Sequence, residues 1–265
     1  MYRKLKEKVF FIVRSFYFPV YICRAWIQTF LGWREKNLLL EKKCKVLYAS
    51  PVGRFGKEYL AKTIASFGTD GVDYLIFAYD DTEFPEPIFK PCTFIRESGL
   101  KWQFAQKYLT QAFCQAYDFI MIWDDDIDVT GFSLKNYLSI IRRNQLQLSQ
   151  PALSRNSVYS HSITLKTERS KIGRFTDFVE IMVPVFDPKA WQRYRSMITA
   201  ATTWGWGMDN SARSHCGFSR MGIVDHETVR HVRPLGFQSV AEEAEFFKRH
   251  SPLLQAYRVA YGQLK

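Results

Sequence analysis

Residues 119–128 read FIMIWDDDID, an apolar run that gives way at once to four carboxylates in five positions. A short apolar run bounded by charged residues is typical of a buried strand. Because a buried strand cannot carry consecutive charged acids inward unless they are neutralised, we expect Asp124, Asp125 and Asp126 at the end of the strand. Side chains alternate across a strand, so Asp124 and Asp126 would share one side of it wherever the extended geometry continues.

Two converging carboxylates at a strand end favour a site for a hard divalent cation. Mg²⁺ and Mn²⁺ prefer oxygen ligands and can hold a diphosphate against a protein. The alternative is a solvated acidic turn that caps the next helix, because Asp is common in turns and at helix N-termini. An ordinary turn does not need a Trp followed by three acids, so we favour the cation site.

Composition indicates a folded protein with an anionic partner. The chain has 265 residues, of which 47% are hydrophobic and 24% charged, enough for a full core in one domain with appendages. Its net charge of +11 favours nucleic acid, a membrane surface or a phosphorylated small molecule as partner. The five cysteines are scattered without a C-x-x-C pair, which indicates a reducing compartment rather than a zinc or redox centre.

Residues 1–43 form a basic, aromatic segment that carries most of the excess charge. The segment contains ten Lys and Arg residues against three acids. Arg14 and Arg24 interrupt its apolar runs, so none approaches the ~20 residues that span a bilayer, and no small-residue cleavage site follows. We expect an amphipathic helical anchor on an anionic membrane surface, with the protein cytoplasmic and peripheral. The alternative is a helix packed on the catalytic domain or on a second subunit.

Beyond residue 43, predicted strands alternate with predicted helices. Strands are predicted at residues 45–50, 74–79, 93–95 and 119–123, and helices at residues 102–116 and 133–146. Such alternation is typical of an α/β sandwich, so we expect residues 44–265 to form one domain with a mixed, mostly parallel sheet flanked by helices. The sequence has neither a P-loop nor a dinucleotide-binding glycine motif, which removes support for those two classes.

Polar residues follow three of these strands. Gly53 and Arg54 follow the first strand, Asp80 and Asp81 follow the second, and the acidic triplet follows the strand at residues 119–123. In open α/β sheets, ligands bind beyond the carboxyl ends of the strands. The three strand ends therefore predict one shared binding site.

The second half of the chain is less regular. Residues 178–186 predict a strand with Glu180 in its middle, and residues 221–226 predict a late strand that His231 follows. Residues 202–210 alternate Trp and Gly, which combines bulky faces with a backbone that other groups can approach closely.

Together these motifs resemble the nucleotide-sugar glycosyltransferases of the GT-A fold and, more closely, the domain of unknown function 707 family. The resemblance runs from about Tyr48 to Leu235 and leaves the first 43 residues outside it. It rests on the shared order of these motifs: FAYD at 77–80, KWQFA at 101–105, residues 117–127, QPAL at 150–153, residues 178–185, WGWGMD at 204–209, and GIVD at 222–225 with His231. The resemblance implies a GT-A-like fold for the catalytic domain.

The resemblance also implies a metal and donor site. It makes Asp124 and Asp126 the D-x-D pair that holds Mn²⁺ or Mg²⁺ against a nucleotide diphosphate, with Asp125 beside them in the donor site. Asp80 would lie near the base or ribose of the donor. His231 matches the late histidine of the family and is a candidate third metal ligand or diphosphate contact, with a purely structural histidine as the alternative. His226 stands where the family tolerates other residues.

Candidate catalytic groups follow from the same resemblance. Asp209 ends the Trp-Gly-Trp-Gly run, where GT-A enzymes often place the general base that takes the proton of the acceptor hydroxyl. Glu180 is the rival base, although an acid within a strand could equally pair with an Arg. Lys101 and Arg54 are candidate phosphate contacts, and for each the alternative is a solvated surface charge.

The implied function is metal-dependent transfer of a sugar from a nucleotide-diphosphate sugar to a hydroxyl of a glycan or lipid-linked acceptor. One alternative is another metal-dependent phosphate enzyme, such as a nucleotidyltransferase, a nuclease or a nucleotide-sugar hydrolase, because clustered carboxylates and basic charge suit those as well. The other is a non-enzymatic module that binds nucleic acid or membrane. We do not expect nucleic acid as a partner, because carboxylates beside a phosphate backbone would repel it.

Overall fold

A mixed sheet forms the centre of the part of the chain that the computed structural model describes, which is residues 44–199, 204–205, 207–233 and 262–265. Its strands are β1 (Val46–Val52), β2 (Val72–Ala78), β3 (Cys92–Arg96), β4 (Phe119–Ile122), β5 (Ile127–Asp128), β6 (Leu148–Leu153), β7 (Arg174–Phe175), β8 (Val185–Phe186), β9 (Met221–His231) and β10 (Gly262–Gln263). They lie in the order β10-β7-β9-β6-β8-β4-β1-β2-β3, and β5 pairs with the end of β9.

The sheet has a parallel part and a mixed part. Strand β1 pairs in parallel with β2 and β4, and β2 pairs in parallel with β3. Strand β8 is antiparallel to both β4 and β6, whereas β6 and β9 are parallel. The carboxyl ends of β1, β2 and β4 therefore lie at one edge, as the sequence predicted.

Helices cover both faces of the sheet. They are α1 (Lys57–Phe67), α2 (Lys101–Tyr108), α3 (Gln111–Cys114), α4 (Leu134–Arg143), α5 (Pro188–Arg195) and α6 (Met208–Cys216). One apolar cluster joins Tyr48 of β1 to α1 and α4, and a second joins its neighbour Leu47 to α2, α5 and α6. Successive residues of a strand face opposite sides, so the sheet separates two cores. The predicted α/β class, with a mixed sheet and flanking helices, is confirmed.

Two predicted elements differ from the structure. The helix predicted at residues 102–116 is two helices, because Thr110 caps α3 by accepting a 3.3 Å hydrogen bond from the backbone N–H of Phe113. Of the strand predicted at residues 178–186, only β8 (Val185–Phe186) is present, so the prediction is wrong for residues 178–184. The backbone N–H of Glu180 donates to the side-chain oxygen of Gln150 at 2.6 Å instead of joining a strand ladder.

The last long strand is longer than predicted and carries a bulge. Its register against β6 shifts between Pro151 and Ala152, which face Val224 and Thr228. Residues 225–227 are thus extra in β9. The buried Asp225 in this bulge pairs with Arg174, and the continuation of β9 reaches His231.

The predicted anchor lies outside the described residues. Residues 1–43 are not among them, so the amphipathic segment and its boundary at residue 43 stay predictions. Residues 44–265 form one compact unit. Among the helices that the structure describes, none is both long and apolar enough to cross a membrane.

Candidate functional site

The acidic triplet lies in a turn directly after β4. The backbone N–H of Asp124 donates to the carbonyl of Met182 at 3.0 Å, and the backbone N–H of Val232 donates to the carbonyl of Asp126 at 3.1 Å. The strand ends at Ile122, so regular extended geometry does not continue through the triplet. Asp125 and Asp126 both contact Arg233, whereas Asp124 turns toward Lys101.

Lys101 is the partner of Asp124. Its ammonium group pairs with a carboxylate oxygen of Asp124 and also donates to the carbonyl of Ile181 at 2.7 Å. Burial raises the pKa of Asp124, the Lys101 charge acts to lower it, and the charge of Asp126 raises it further. Lys101 is only 9% exposed, so it is not the solvated surface lysine of the alternative interpretation.

Asp125 ties three parts of the site together. Its Oδ2 accepts hydrogen bonds from the backbone N–H of Gly53 at 3.3 Å and from the hydroxyl of Tyr79 at 2.9 Å, and its Oδ1 pairs with Arg233. Burial raises the pKa of Asp125, while the charge of Arg233 acts to lower it. A Cβ at Gly56 would lie 2.4 Å from the Cβ of Asp125, so the loop after β1 needs glycine to come this close.

Asp126 pairs with His231. The Nε2 of His231 lies 3.0 Å from Oδ2 of Asp126, and its Nδ1 lies 2.9 Å from the carbonyl of Val158. Arg233 donates to the same Oδ2 at 3.1 Å. Burial acts to raise the pKa of Asp126, but the His231 hydrogen bond and the charges of His231 and Arg233 lower it. Burial acts to lower the pKa of His231, but the bond to Asp126 raises it.

Glu180 lies beside this cluster in the irregular segment before β8. Burial raises its pKa to about 7, hydrogen bonds with Ser160 and Thr164 and the charge of His231 act to lower it, and the charge of Asp124 raises it. Its Oε2 is buried without a hydrogen-bond partner in the part of the chain that the structure describes. Burial therefore raises the pKa of Glu180 toward neutrality, and one of its buried oxygens has no hydrogen-bond partner among the described residues.

Asp80 holds the loop after β1. Its Oδ2 accepts from the backbone N–H of Arg54 at 2.9 Å, and its Oδ1 accepts from the backbone N–H of Thr82 at 3.0 Å. Slight burial acts to raise the pKa of Asp80, but these hydrogen bonds lower it. Arg54 joins the site through its backbone and keeps an exposed side chain, so its phosphate contact stays a prediction.

Asp209 lies in the first turn of α6. It is buried, and its Oδ1 accepts from the backbone N–H of Asn210 at 2.9 Å. Burial raises the pKa of Tyr194, and the charge of Asp209 adds to that effect, which places Asp209 beside the second core. The preceding Gly205 has φ +83°, and a Cβ there would lie 2.1 Å from Nε1 of Trp102. The glycine run thus packs against the residue that follows Lys101.

Of the two late histidines, His231 reaches the acids. His226 is exposed in the bulge of β9, where its Nδ1 lies 3.0 Å from a carboxylate oxygen of Glu227. Sequence reasoning missed two residues that contact the triplet. Tyr79 directly precedes Asp80 at a strand end and could have been included, whereas Arg233 belongs to no pattern that marks it.

The site offers few protein ligands for a metal. Within the described ranges there is no group of three or more His, Cys, Asp or Glu residues arranged to hold one. Two donors nevertheless fit. The 3.0 Å between His231 Nε2 and Asp126 Oδ2 matches adjacent ligands that each lie ~2.1 Å from one ion. His231 rests on a backbone carbonyl through its other nitrogen, as metal-bound histidines do, and Asp126 Oδ1 is buried without a partner among the described residues.

Comparison with known proteins identifies the family. The family model described as "Protein of unknown function (DUF707)" matches residues 25–177 and 174–256. The chain belongs to the DUF707 family. The family predicted from the ordered motifs is thus confirmed. The DUF707 match begins at residue 25, so it includes residues 25–43, which the motif resemblance had left outside.

Solved structures resemble this DUF707 chain only distantly. S. aureus TarS, residues 1–349, has a TM-score of 0.46 at 11% identity, covering 78% of this chain and 71% of TarS. A197 from STIV has a TM-score of 0.42 at 9% identity over 74% and 99% of the two chains. A mycobacterial protein has a TM-score of 0.42 at 10% identity, covering 86% of this chain and 88% of the mycobacterial chain. No curated protein matches the sequence significantly.

Proposed function

We propose that this DUF707 protein is a metal-dependent glycosyltransferase that moves a sugar from a nucleotide-diphosphate sugar to a hydroxyl of a glycan or lipid-linked acceptor. One observation carries the proposal. Three acids gather with His231 and Lys101 at the edge where the parallel strands β1, β2 and β4 end. Ligands of open α/β sheets bind at this edge, and the ordered motifs resemble those of nucleotide-sugar enzymes.

Asp126 and His231 would hold Mn²⁺ or Mg²⁺, with Asp124 close by. Such ions commonly take one or two protein carboxylates and complete their coordination with water and substrate phosphates, so a small set of protein ligands suits a diphosphate donor. The bound ion would neutralise the charge that develops on the departing nucleotide diphosphate. The DUF707 site therefore needs the donor to complete it.

The neighbouring residues position the donor. Lys101 holds Asp124 and supplies a buried positive charge beside the diphosphate position. Asp125 fixes the end of β1 against the end of β2 through Gly53 and Tyr79. Asp80 orders the same loop, and we assign it to the base or ribose of the donor.

Glu180 is the better placed of the two candidate bases. A pKa of about 7 is close to the operating pH at which a general base is most effective in taking a proton from an acceptor hydroxyl. Its electrostatic contact with Asp124 and His231 places it at the cluster. Asp209 lies beside Tyr194 and remains the second candidate.

The location of the enzyme is part of the proposal. We place it on the cytoplasmic side of an anionic membrane, held by the basic residues and aromatic rings of residues 1–43. Such a position would suit a lipid-linked acceptor.

Calorimetry tests the proposal directly. The full chain is titrated with a panel of nucleotide-diphosphate sugars, first with MnCl₂ and then with excess chelator. We expect one or a few donors to bind in the presence of Mn²⁺ and to lose affinity in chelator. Equal donor affinity in chelator would show that donor binding does not depend on the metal. Release of free sugar at a rate that does not respond to added acceptor would instead identify a nucleotide-sugar hydrolase.

A further inference from the structure

Arg233 contacts the carboxylates on which the proposed metal site depends. Its guanidinium group contacts two carboxylates at once, Asp125 through one terminal nitrogen and Asp126 through Nε at 3.1 Å. Asp126 Oδ2 is the oxygen that also faces His231. An ion bound by Asp126 and His231 would therefore compete with Arg233 for the same oxygen.

The three basic residues of the cluster differ in how firmly they are held. Lys101 is 9% exposed and anchored by the carbonyl of Ile181, and His231 is 5% exposed and anchored by the carbonyl of Val158. Arg233 is 36% exposed, and the hydrogen bonds described for it go to the two carboxylates. Among the described residues, Arg233 is thus the basic residue of this cluster whose turn toward a ligand in solvent breaks no hydrogen bond to a backbone group.

Asp125 keeps two hydrogen bonds at its Oδ2 when Arg233 leaves its Oδ1. These hydrogen bonds come from the N–H of Gly53 and the hydroxyl of Tyr79. Beyond Arg233 lies the ring of Phe55, whose centroid is 5.9 Å from the guanidinium carbon and which is 72% exposed. Arg233 therefore contacts both the buried acids and an exposed aromatic ring.

We propose that Arg233 shields Asp126 when no metal is bound and contacts the donor diphosphate when metal enters. A guanidinium group suits this exchange, because its planar fork of donors binds a carboxylate pair or a phosphate equally well. The inference rests on the proposed function, because it concerns the metal and diphosphate of that site. Arg233 then has opposite effects on two ligands: it weakens binding of the metal alone and strengthens binding of the nucleotide.

The test measures both ligands on the full chain. Wild type, Arg233→Gln and the control Arg230→Gln are titrated with MnCl₂ alone, and then with UDP, GDP, ADP, CDP and dTDP at saturating MnCl₂. Arg230 is a matched control because it lies three residues earlier and pairs with Asp128, outside the cluster. Arg233→Gln should bind Mn²⁺ about fivefold more tightly, the effect of removing one partly exposed competing ion pair. It should bind the preferred nucleotide about 10- to 100-fold more weakly, through loss of a charged hydrogen bond.

A merely structural role predicts a different pattern, since damage to the site would weaken both ligands together. That result, or an Arg233→Gln protein that behaves like Arg230→Gln, would overturn the inference. If Arg233→Gln does not fold, Arg233→Lys decides: it should keep wild-type Mn²⁺ affinity and lose nucleotide affinity, because the charge stays while the fork is lost. Wild-type protein that binds neither Mn²⁺ nor any of the nucleotides would overturn the proposed function as well.

Discussion

The two sides of the site are built in different ways. On the acidic side, the regular strands β1, β2 and β4 end together and their loops supply Gly53, Asp80 and the acidic triplet. On the opposite side, the irregular segment before β8 and the bulged strand β9 supply Glu180 and His231. A regular strand fixes the position of its end through its own register, whereas an irregular segment is positioned by tertiary contacts. Substitutions on the acidic side should therefore leave the fold intact while abolishing function. Substitutions on the opposite side should disturb local structure more, because tertiary contacts position it.

The acidic side gives the largest expected effect. Asp126→Asn removes a charged ligand without changing size, so Mn²⁺-dependent donor affinity should fall by more than about 100-fold and turnover should be lost. Asp128→Asn is the control, because Asp128 pairs with Arg230 and Thr130 outside the cluster. Calorimetry and a product assay check the pair. Full activity of the Asp126→Asn protein would contradict the proposal that turnover depends on a metal bound by Asp126.

The opposite side is expected to supply the base. Glu180→Gln should leave donor affinity nearly unchanged and lower the catalytic rate by roughly 10²–10⁴-fold, the usual contribution of general acid–base catalysis. Steady-state kinetics with donor and acceptor measure this difference. If Asp209→Asn shows that pattern and Glu180→Gln does not, the base lies on α6 instead.

The pH dependence sharpens the same assignment. The pKa of Glu180 is raised to about 7, so the carboxylate protonates as the pH falls through that value and the base is lost. The rate should fall about tenfold for each pH unit below 7, with full activity above it. A pH–rate profile of wild type and Glu180→Gln checks this. The limb near pH 7 should disappear in the variant; its persistence there would assign the limb to another group.

A smaller effect is expected where the glycine run meets α2. Gly205→Ala should destabilise the fold by about 1–3 kcal/mol, because φ is +83° and the new Cβ would overlap the Trp102 ring. Gly131→Ala is a close control, since Gly131 has φ +81° and nothing within 4 Å of the added Cβ. Thermal or urea unfolding compares the two. Equal losses would mean that backbone strain alone accounts for the effect.

The smallest and most reversible effect concerns residues 1–43. If this segment is an interfacial anchor, the full chain should bind anionic vesicles with roughly 1 kcal/mol per basic residue near the surface, and salt should weaken that binding. Co-sedimentation with anionic and neutral vesicles at low and high salt measures it. Equal binding to neutral vesicles, or binding that salt does not weaken, would favour a packing role for the segment.

Sequence reasoning recovered the acidic side better than the opposite side. Strands β1 to β4 were predicted to within about two residues, because buried parallel strands give continuous apolar runs that end at charged residues. Strand β4 ends at Ile122, so the extended geometry on which the pairing of Asp124 with Asp126 was predicted does not continue. The charges of Asp124 and Asp126 still act on each other, whereas Asp125 contacts Gly53 and Tyr79.

The opposite side lacked such signals. Residues 178–184 look like a strand in sequence, but a side chain of Gln150 takes the backbone N–H of Glu180, and only a tertiary contact decides that. The strand predicted to end at His226 continues to His231, because β9 resumes pairing with β6 after the bulge at residues 225–227. Arg233 is one arginine among many, and its role emerges only from its two carboxylate contacts.

The bulge in β9 also works as a spacer. The bulge takes up three residues, 225–227, that have no partner on β6, and each residue of a strand spans ~3.3 Å, so His231 would stand about 10 Å further along β6 if these residues were paired in regular register. The number of residues that the bulge takes up therefore sets which residue of the strand meets Asp126. If the bulge took up one residue more or fewer of the same strand, a different side chain would face the same acids, while the loop that carries the acids stayed as it is.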